Sequence, residues 1–135
     1  MGKIARFEEI ESWKRARVMT REVNRLTASG GFGRDFGLRD QLRRASVSIL
    51  SNIAEGFERG GNKEFIQFLS NAKGSAGELR AQLYVALDAG LIDQRSFETL
   101  YSAAEETSRL IGGLMRYLRQ SDCPGEKFSR GDLES

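Results

Sequence analysis

The segment Ser46-Val47-Ser48-Ile49-Leu50-Ser51-Asn52-Ile53-Ala54-Glu55-Gly56-Phe57 constrains the fold more than any other part of the chain. Wound as a helix at about 100° per residue, it continues a stripe made of Leu38, Leu42, Ala45, Ile49, Ile53 and Gly56. Val47, Leu50, Ala54 and Phe57 fall on a second stripe, rotated well away from the first. A surface helix normally carries one apolar stripe and a solvated back. Two stripes require two burying surfaces. The expectation is a chain of packed helices, with one face of this helix in the chain's own core and the other against a second copy.

The rest of the chain supplies the neighbours. Residues 8–28 place Ile10, Trp13, Ala16, Met19, Val23 and Leu26 on one face, and Ala28-Ser29-Gly30-Gly31-Phe32-Gly33 releases the backbone and ends the helix. The second helix runs from Asp35 or Leu38 to Glu58 and breaks at Gly60-Gly61. Asn62 is the expected N-cap of the third, over 62–89, which carries Phe65, Phe68, Leu69, Ala72, Ala76, Leu79, Leu83 and Leu87. Gly90 is its expected C′ residue. Asp93 caps the fourth, which runs to about Gln120 with Phe97, Leu100, Ala104, Ile111, Leu114 and Leu118 on its stripe. Short links favour antiparallel neighbours. The reading is all-α: one domain over 1–120, an up-down-up-down antiparallel four-helix bundle, then a flexible tail over 121–135, where periodicity stops.

Composition excludes much chemistry. The chain has no histidine, which removes the commonest general base and metal ligand. The single cysteine, Cys123, can form no intrachain disulfide, and an intracellular, cytoplasmic location is expected. Neither a leader-like apolar region at the start nor a window of membrane-spanning length is seen. Adjacent carboxylates such as Glu8-Glu9 and Glu105-Glu106 point apart on a helix. A bundle could bring Glu55 and Glu78 together, but no Glu-x-x-His element accompanies them. No catalytic residue, cofactor or metal is expected.

Binding surfaces are better represented. The chain holds 21 Lys and Arg against 19 Asp and Glu, and residues 1–60 hold 12 of the cations against 8 carboxylates. Lys14, Arg17, Arg21 and Arg25 fall in one narrow arc of the first helix, suited to nucleic-acid phosphates or to nothing more than a solvated back. Arg39, Arg43 and Arg44 form a second cluster, able to meet phosphate or to pair with Asp35, Asp40 or a neighbouring subunit. The aromatics Trp13, Phe65, Phe68 and Phe97 lie on core faces, so any nucleic-acid binding is expected through backbone charge and shape rather than stacking. On the third helix, Ser70, Gly74, Gly77 and Ala81 form a small-residue stripe opposite the core face. Interior glycines cost about 1 kcal/mol each relative to alanine. Close approach of another backbone would explain them; simple tolerance in a well-packed helix would too. With Val47, Leu50, Ala54 and Phe57, these four residues are the expected oligomer interface.

The run from Phe36 to Ile49, then Ser51-Asn52-Ile53-Ala54-Glu55-Gly56, resembles the bacterial four-helix-bundle family of 23S rRNA intervening-sequence proteins. Lys63-Glu64-Phe65, Phe68-Leu69, Ala72-Lys73-Gly74-Ser75-Ala76-Gly77-Glu78-Leu79, Gln82-Leu83 and Ala89-Gly90-Leu91-Ile92 continue the resemblance, which covers about residues 7–118. Trp13 and Ala16 fit the family's first helix. The resemblance implies an up-and-down bundle assembled as a ring-like homopentamer, without enzymatic activity. The chain is also similar to the accessory protein of diversity-generating retroelements, a basic pentamer, which implies RNA or DNA, or a protein such as a reverse transcriptase, as partner. The family usually carries proline at the position of Leu50. Proline there would remove a helical hydrogen bond and kink the helix, so Leu50 implies a straighter, more apolar second helix.

Overall fold

A computed structural model describes residues 4–120, which are all-α, with no strand among them. Four long helices, α1 (Glu11–Thr27), α2 (Phe36–Arg59), α3 (Asn62–Asp88) and α4 (Gln94–Arg119), are joined with two short 3₁₀ turns at Phe7–Glu9 and Gly30–Arg34. The expected tail over 121–135 lies outside the described residues, as does Cys123. No helix among the described residues is long and apolar enough to cross a membrane.

Local chemistry fixes the helix ends. The Asp35 carboxylate accepts the Leu38 amide at 3.0 Å, and the Asp93 carboxylate accepts the Ser96 amide at 2.8 Å. Each satisfies a donor that a first helical turn leaves orphaned. The α3 C-terminus closes with Leu91 N–H on the Ala86 carbonyl at 2.9 Å and Gly90 N–H on the Leu87 carbonyl at 3.0 Å. That pair of bonds needs a left-handed residue at the turn, and Gly90 supplies it at φ 75°. One cap differs from expectation. Gly61, not Asn62, is the N-cap of α3; Asn62 turns inward, 7% exposed, and donates to the Leu118 carbonyl at 3.4 Å. Tying the start of α3 to the end of α4 takes that side chain away from its own helix.

The core stripes read from the sequence converge. Ile49, Ile53, Leu69, Ala72, Ala76, Leu79, Ala104 and Ile111 have no measurable exposure. Each buried Leu or Ile is worth about 1.5–3 kcal/mol relative to the exposed side chain. α2 packs against both α1 and α3, which explains its wide apolar arc. Phe57, assigned by sequence to an oligomer face, instead belongs to this core: it is 2% exposed and meets Phe65 edge-on at 6.0 Å. Leu50 is half-buried against the same core and Ala54 is half-buried as well. Only Val47 of the second stripe is open, at 47% exposure. α2 continues without a break through Leu50.

Close helix approach does occur at a glycine, but on α2. A Cβ at Gly56 would lie 2.7 Å from the Phe68 Cβ and 3.0 Å from the Phe65 ring, so α3 sits against bare backbone there. A Cβ at Gly74 would meet nothing within 4 Å, and one at Gly77 only the Arg80 guanidinium at 3.6 Å. Among the described residues, then, no backbone is pressed against Gly74 or Gly77. A polar seam joins α2 to α3 beside it: Ser48 Oγ and Ser75 Oγ share a hydrogen bond of 2.8 Å, and Asn52 Nδ2 donates to the Ser48 carbonyl at 2.8 Å.

Candidate nucleic-acid interface

The α1 cations lie where the sequence puts them, exposed on one arc, but most are engaged. Lys14 reaches Glu11 at 4.0 Å, Arg17 lies 5.9 Å above the Trp13 ring, and Arg25 is bound by Glu22 through two hydrogen bonds. That bonding lowers the Glu22 carboxyl below its usual range and raises the Arg25 guanidinium above its own. Beside the row, Arg15 pairs with Glu106 of α4 at 2.7 Å. Among the described residues only Arg21 of the four has neither an ion pair nor a ring contact.

The α2 cluster is engaged too. Arg39 reaches Asp40 at 3.4 Å and stacks 4.5 Å from the Phe36 ring centroid. Arg43 donates to the Thr27 hydroxyl at 2.8 Å and to the Asn24 carbonyl at 3.5 Å. It is a clasp between α2 and the end of α1 more than a free charge. Glu55 and Glu78 are both exposed or half-exposed, with Glu55 paired to Arg59 at 3.1 Å. No group of three or more His, Cys, Asp or Glu residues among the described residues is placed to hold a metal.

The structure assembles a basic site that sequence reasoning missed. Lys73 and Arg80 from α3 face Arg109 and Arg116 from α4 across a groove of about 580 Å³, with Glu105, Ser108 and Gly112 completing its walls. Four cations here stand against one carboxylate. None of the four has an ion pair among the described residues. Two polar atoms at the groove are also buried without a hydrogen-bond partner: Ser108 Oγ, on a side chain 7% exposed, and Arg80 Nε. Buried polar atoms are nearly always bonded in folded proteins, so two idle ones at a cationic groove mark where an acceptor would be welcomed. Gly112 leaves the α4 wall without a side chain at that point, and a Cβ there would stand at ordinary contact distance, 3.6 Å, from the Arg116 guanidinium.

At one end the groove meets a group of rings. The Arg80 guanidinium lies 6.0 Å from the Tyr101 ring centroid. Tyr84 packs edge-on to Tyr101 at 5.5 Å and tilted against the buried Phe97 at 4.8 Å, yet is 50% exposed. The neighbouring Tyr101 hydroxyl, then burial and the Glu105 charge, raise the Tyr84 phenol above its ordinary value. A sequence signal existed: Lys73, Arg80 and Tyr84 share one face of α3, and Tyr101, Glu105, Ser108, Gly112 and Arg116 share one face of α4. Folding those two stripes about the short Gly90–Asp93 turn brings them together.

Comparison with known proteins agrees with the architecture. A solved structure from Bacteroides thetaiotaomicron, described as a protein of unknown function from the S23 ribosomal protein family, superposes with a TM-score of 0.71 at 21% identity, covering 78% of this chain and 98% of that one. At that identity the likeness speaks for the fold alone. No curated protein matches the chain. The family model of the 23S rRNA-intervening sequence proteins matches residues 8–113, most of the chain, so the resemblance carried by the Ser51–Gly56 and Gly74–Leu79 blocks is borne out and the protein belongs to that family.

Proposed function

We propose that this protein is a non-enzymatic, homo-oligomeric helical bundle, up-down-up-down in topology and pentameric in assembly, that binds RNA or DNA through its basic surface. The observation that carries the binding is the α3–α4 groove, where Lys73, Arg80, Arg109 and Arg116 converge around the single carboxylate of Glu105, none of them in an ion pair among the described residues. Phosphate is the anion that such a cluster suits, and it suits it without reading sequence. Arg17 and Arg21 of α1, and Arg39 at its ring-stacked position, extend the field around the molecule. Val47 and the open Ser70, Gly74, Gly77 and Ala81 stripe support the assembly, with Leu50 and Ala54 at its margin. The Ser48–Ser75 bond sets the Val47 and Gly74 turns side by side.

Two measurements test this reading. Light scattering is expected to show a species several times the 15.1 kDa chain mass; a monomer at that mass defeats the assembly. Binding to a labelled RNA is expected to weaken steeply with salt; no binding at low salt defeats the nucleic-acid role.

One observation favours a second reading, a protein-interaction scaffold without nucleic-acid affinity. A largely apolar cleft of about 420 Å³ lies between α1 and α4, lined by Val18, Met19, Leu100 and Ala103 with Arg15, Glu22 and Glu106 at its rim. Val18 is 61% exposed there. The same RNA titration separates the two readings.

A further inference from the structure

We infer that the α3–α4 groove takes single-stranded nucleic acid, with phosphates along Lys73, Arg80, Arg109 and Arg116 and a base stacked on Tyr84. This rests on the nucleic-acid reading above and adds to it which form of nucleic acid binds, and how. It also reverses the expectation that stacking plays no part, because the rings that matter are tyrosines outside the core stripes.

The first support is juxtaposition. Single-strand sites combine a cationic groove that follows the backbone with aromatic faces on which bases stack. Here the two are continuous: Arg80 lines the groove and also stands 6.0 Å from the Tyr101 ring, which in turn holds Tyr84 edge-on at 5.5 Å. The second is exposure. Tyr84 remains 50% exposed although Phe97 and Tyr101 fix its position, so part of a held ring stays open to a further one. Bases inside a duplex are already stacked and have no free face to offer. The third is size. A groove of about 580 Å³ is in the range of about 300–1,000 Å³ typical of small-molecule sites. It suits a short run of single strand, with the unpartnered Ser108 Oγ and Arg80 Nε just beneath its walls.

The test uses the full chain with labelled 12-nucleotide RNA, DNA of the same sequence, a 12-base-pair duplex, and the single strand carrying 2-aminopurine. Single strands, RNA and DNA alike, are expected to bind more tightly than the duplex, with quenching of 2-aminopurine. Tyr84→Ala is expected to lower single-strand affinity by about 5- to 150-fold, the range for one base–aromatic stack, and to abolish the quench, with duplex affinity unchanged. Tyr84→Phe, which keeps the ring, is expected to behave as the parent. Circular dichroism of both variants confirms that the helices persist. Equal loss for single strand and duplex, or no loss for either, overturns the stacking role while leaving the nucleic-acid reading standing. Absence of binding to every probe overturns that reading itself.

Discussion

The outer face of α1 and the α3–α4 groove each present four cations, and they treat them in opposite ways. On α1, Lys14 and Arg25 lean on carboxylates of their own helix and Arg17 covers Trp13. In the groove, Lys73, Arg80, Arg109 and Arg116 gather from two helices around a single carboxylate, with Ser108 Oγ and Arg80 Nε left unbonded. The α1 row is regular, and regularity on one helix brings partners with it, because carboxylates three or four residues away fall within reach. The groove is irregular in sequence and concentrated in space. Charge that is already paired stabilises a helix; charge that is unpaired and concave attracts a ligand.

The largest expected effect comes from closing the groove without touching its charge. Gly112→Leu places a side chain between the α3 and α4 cations while net charge is unchanged. Affinity for a single-stranded oligonucleotide is expected to fall by about tenfold or more, equivalent to removing one charge-assisted hydrogen bond. Unchanged affinity by fluorescence anisotropy would mean that the field of the whole protein acts, not the groove.

Stability separates the two sides of α3 next. Gly56→Ala forces a Cβ into Phe68 and Phe65 and is expected to cost about 1–3 kcal/mol. Gly74→Ala, beside Lys73 on the open side, is expected to stabilise the chain by up to about 1 kcal/mol. Urea midpoints check both. If Gly74→Ala instead breaks up an oligomer seen by light scattering, the small stripe is held by a second copy rather than by this chain.

The smallest effect tests whether the α1 charges are already satisfied. Glu22→Gln releases Arg25 and is expected to raise polyanion affinity by no more than about threefold, since exposed ion pairs are weak. The same pair has a pH signature. The folded Glu22 carboxyl is held below its ordinary value, first by the hydrogen bond from Arg25. Its contribution is therefore complete above the unfolded value and is lost as pH falls through the lower folded one. Thermal melts of the parent and Glu22→Gln are expected to converge in that acid range; melts that stay equally far apart at every pH would contradict the pairing.

The fold was legible where it depends on period and punctuation. Apolar residues at helical spacing marked all four helices, and Asp35, Asp93 and Gly90 act in the caps as their chemistry requires. Asn62 misled because a good capping side chain can be drawn off by a tertiary partner, here the Leu118 carbonyl. Phe57 misled because a helix between two neighbours needs a wider apolar arc than one stripe. The α1 row was visible because all four cations lie on one helix. The groove was not, because α3 and α4 each contribute only two cations, seven residues apart, and only packing brings the pairs together. Tyr84 was missed for the same reason: its role comes from Arg80 and Tyr101 beside it, not from its own helix.

The most direct measurement is the salt dependence of single-stranded RNA binding for the parent and two triple variants. One replaces the groove cations, Lys73→Gln, Arg109→Gln and Arg116→Gln. The other replaces the row, Arg17→Gln, Arg21→Gln and Arg25→Gln. On a single strand, removing a cation that neutralises one phosphate lowers the log–log slope by about 0.7. A fall of about two is expected for the groove variant and less than about one for the α1 variant. Equal falls, or the larger fall in the α1 variant, would contradict the assignment of binding to the groove.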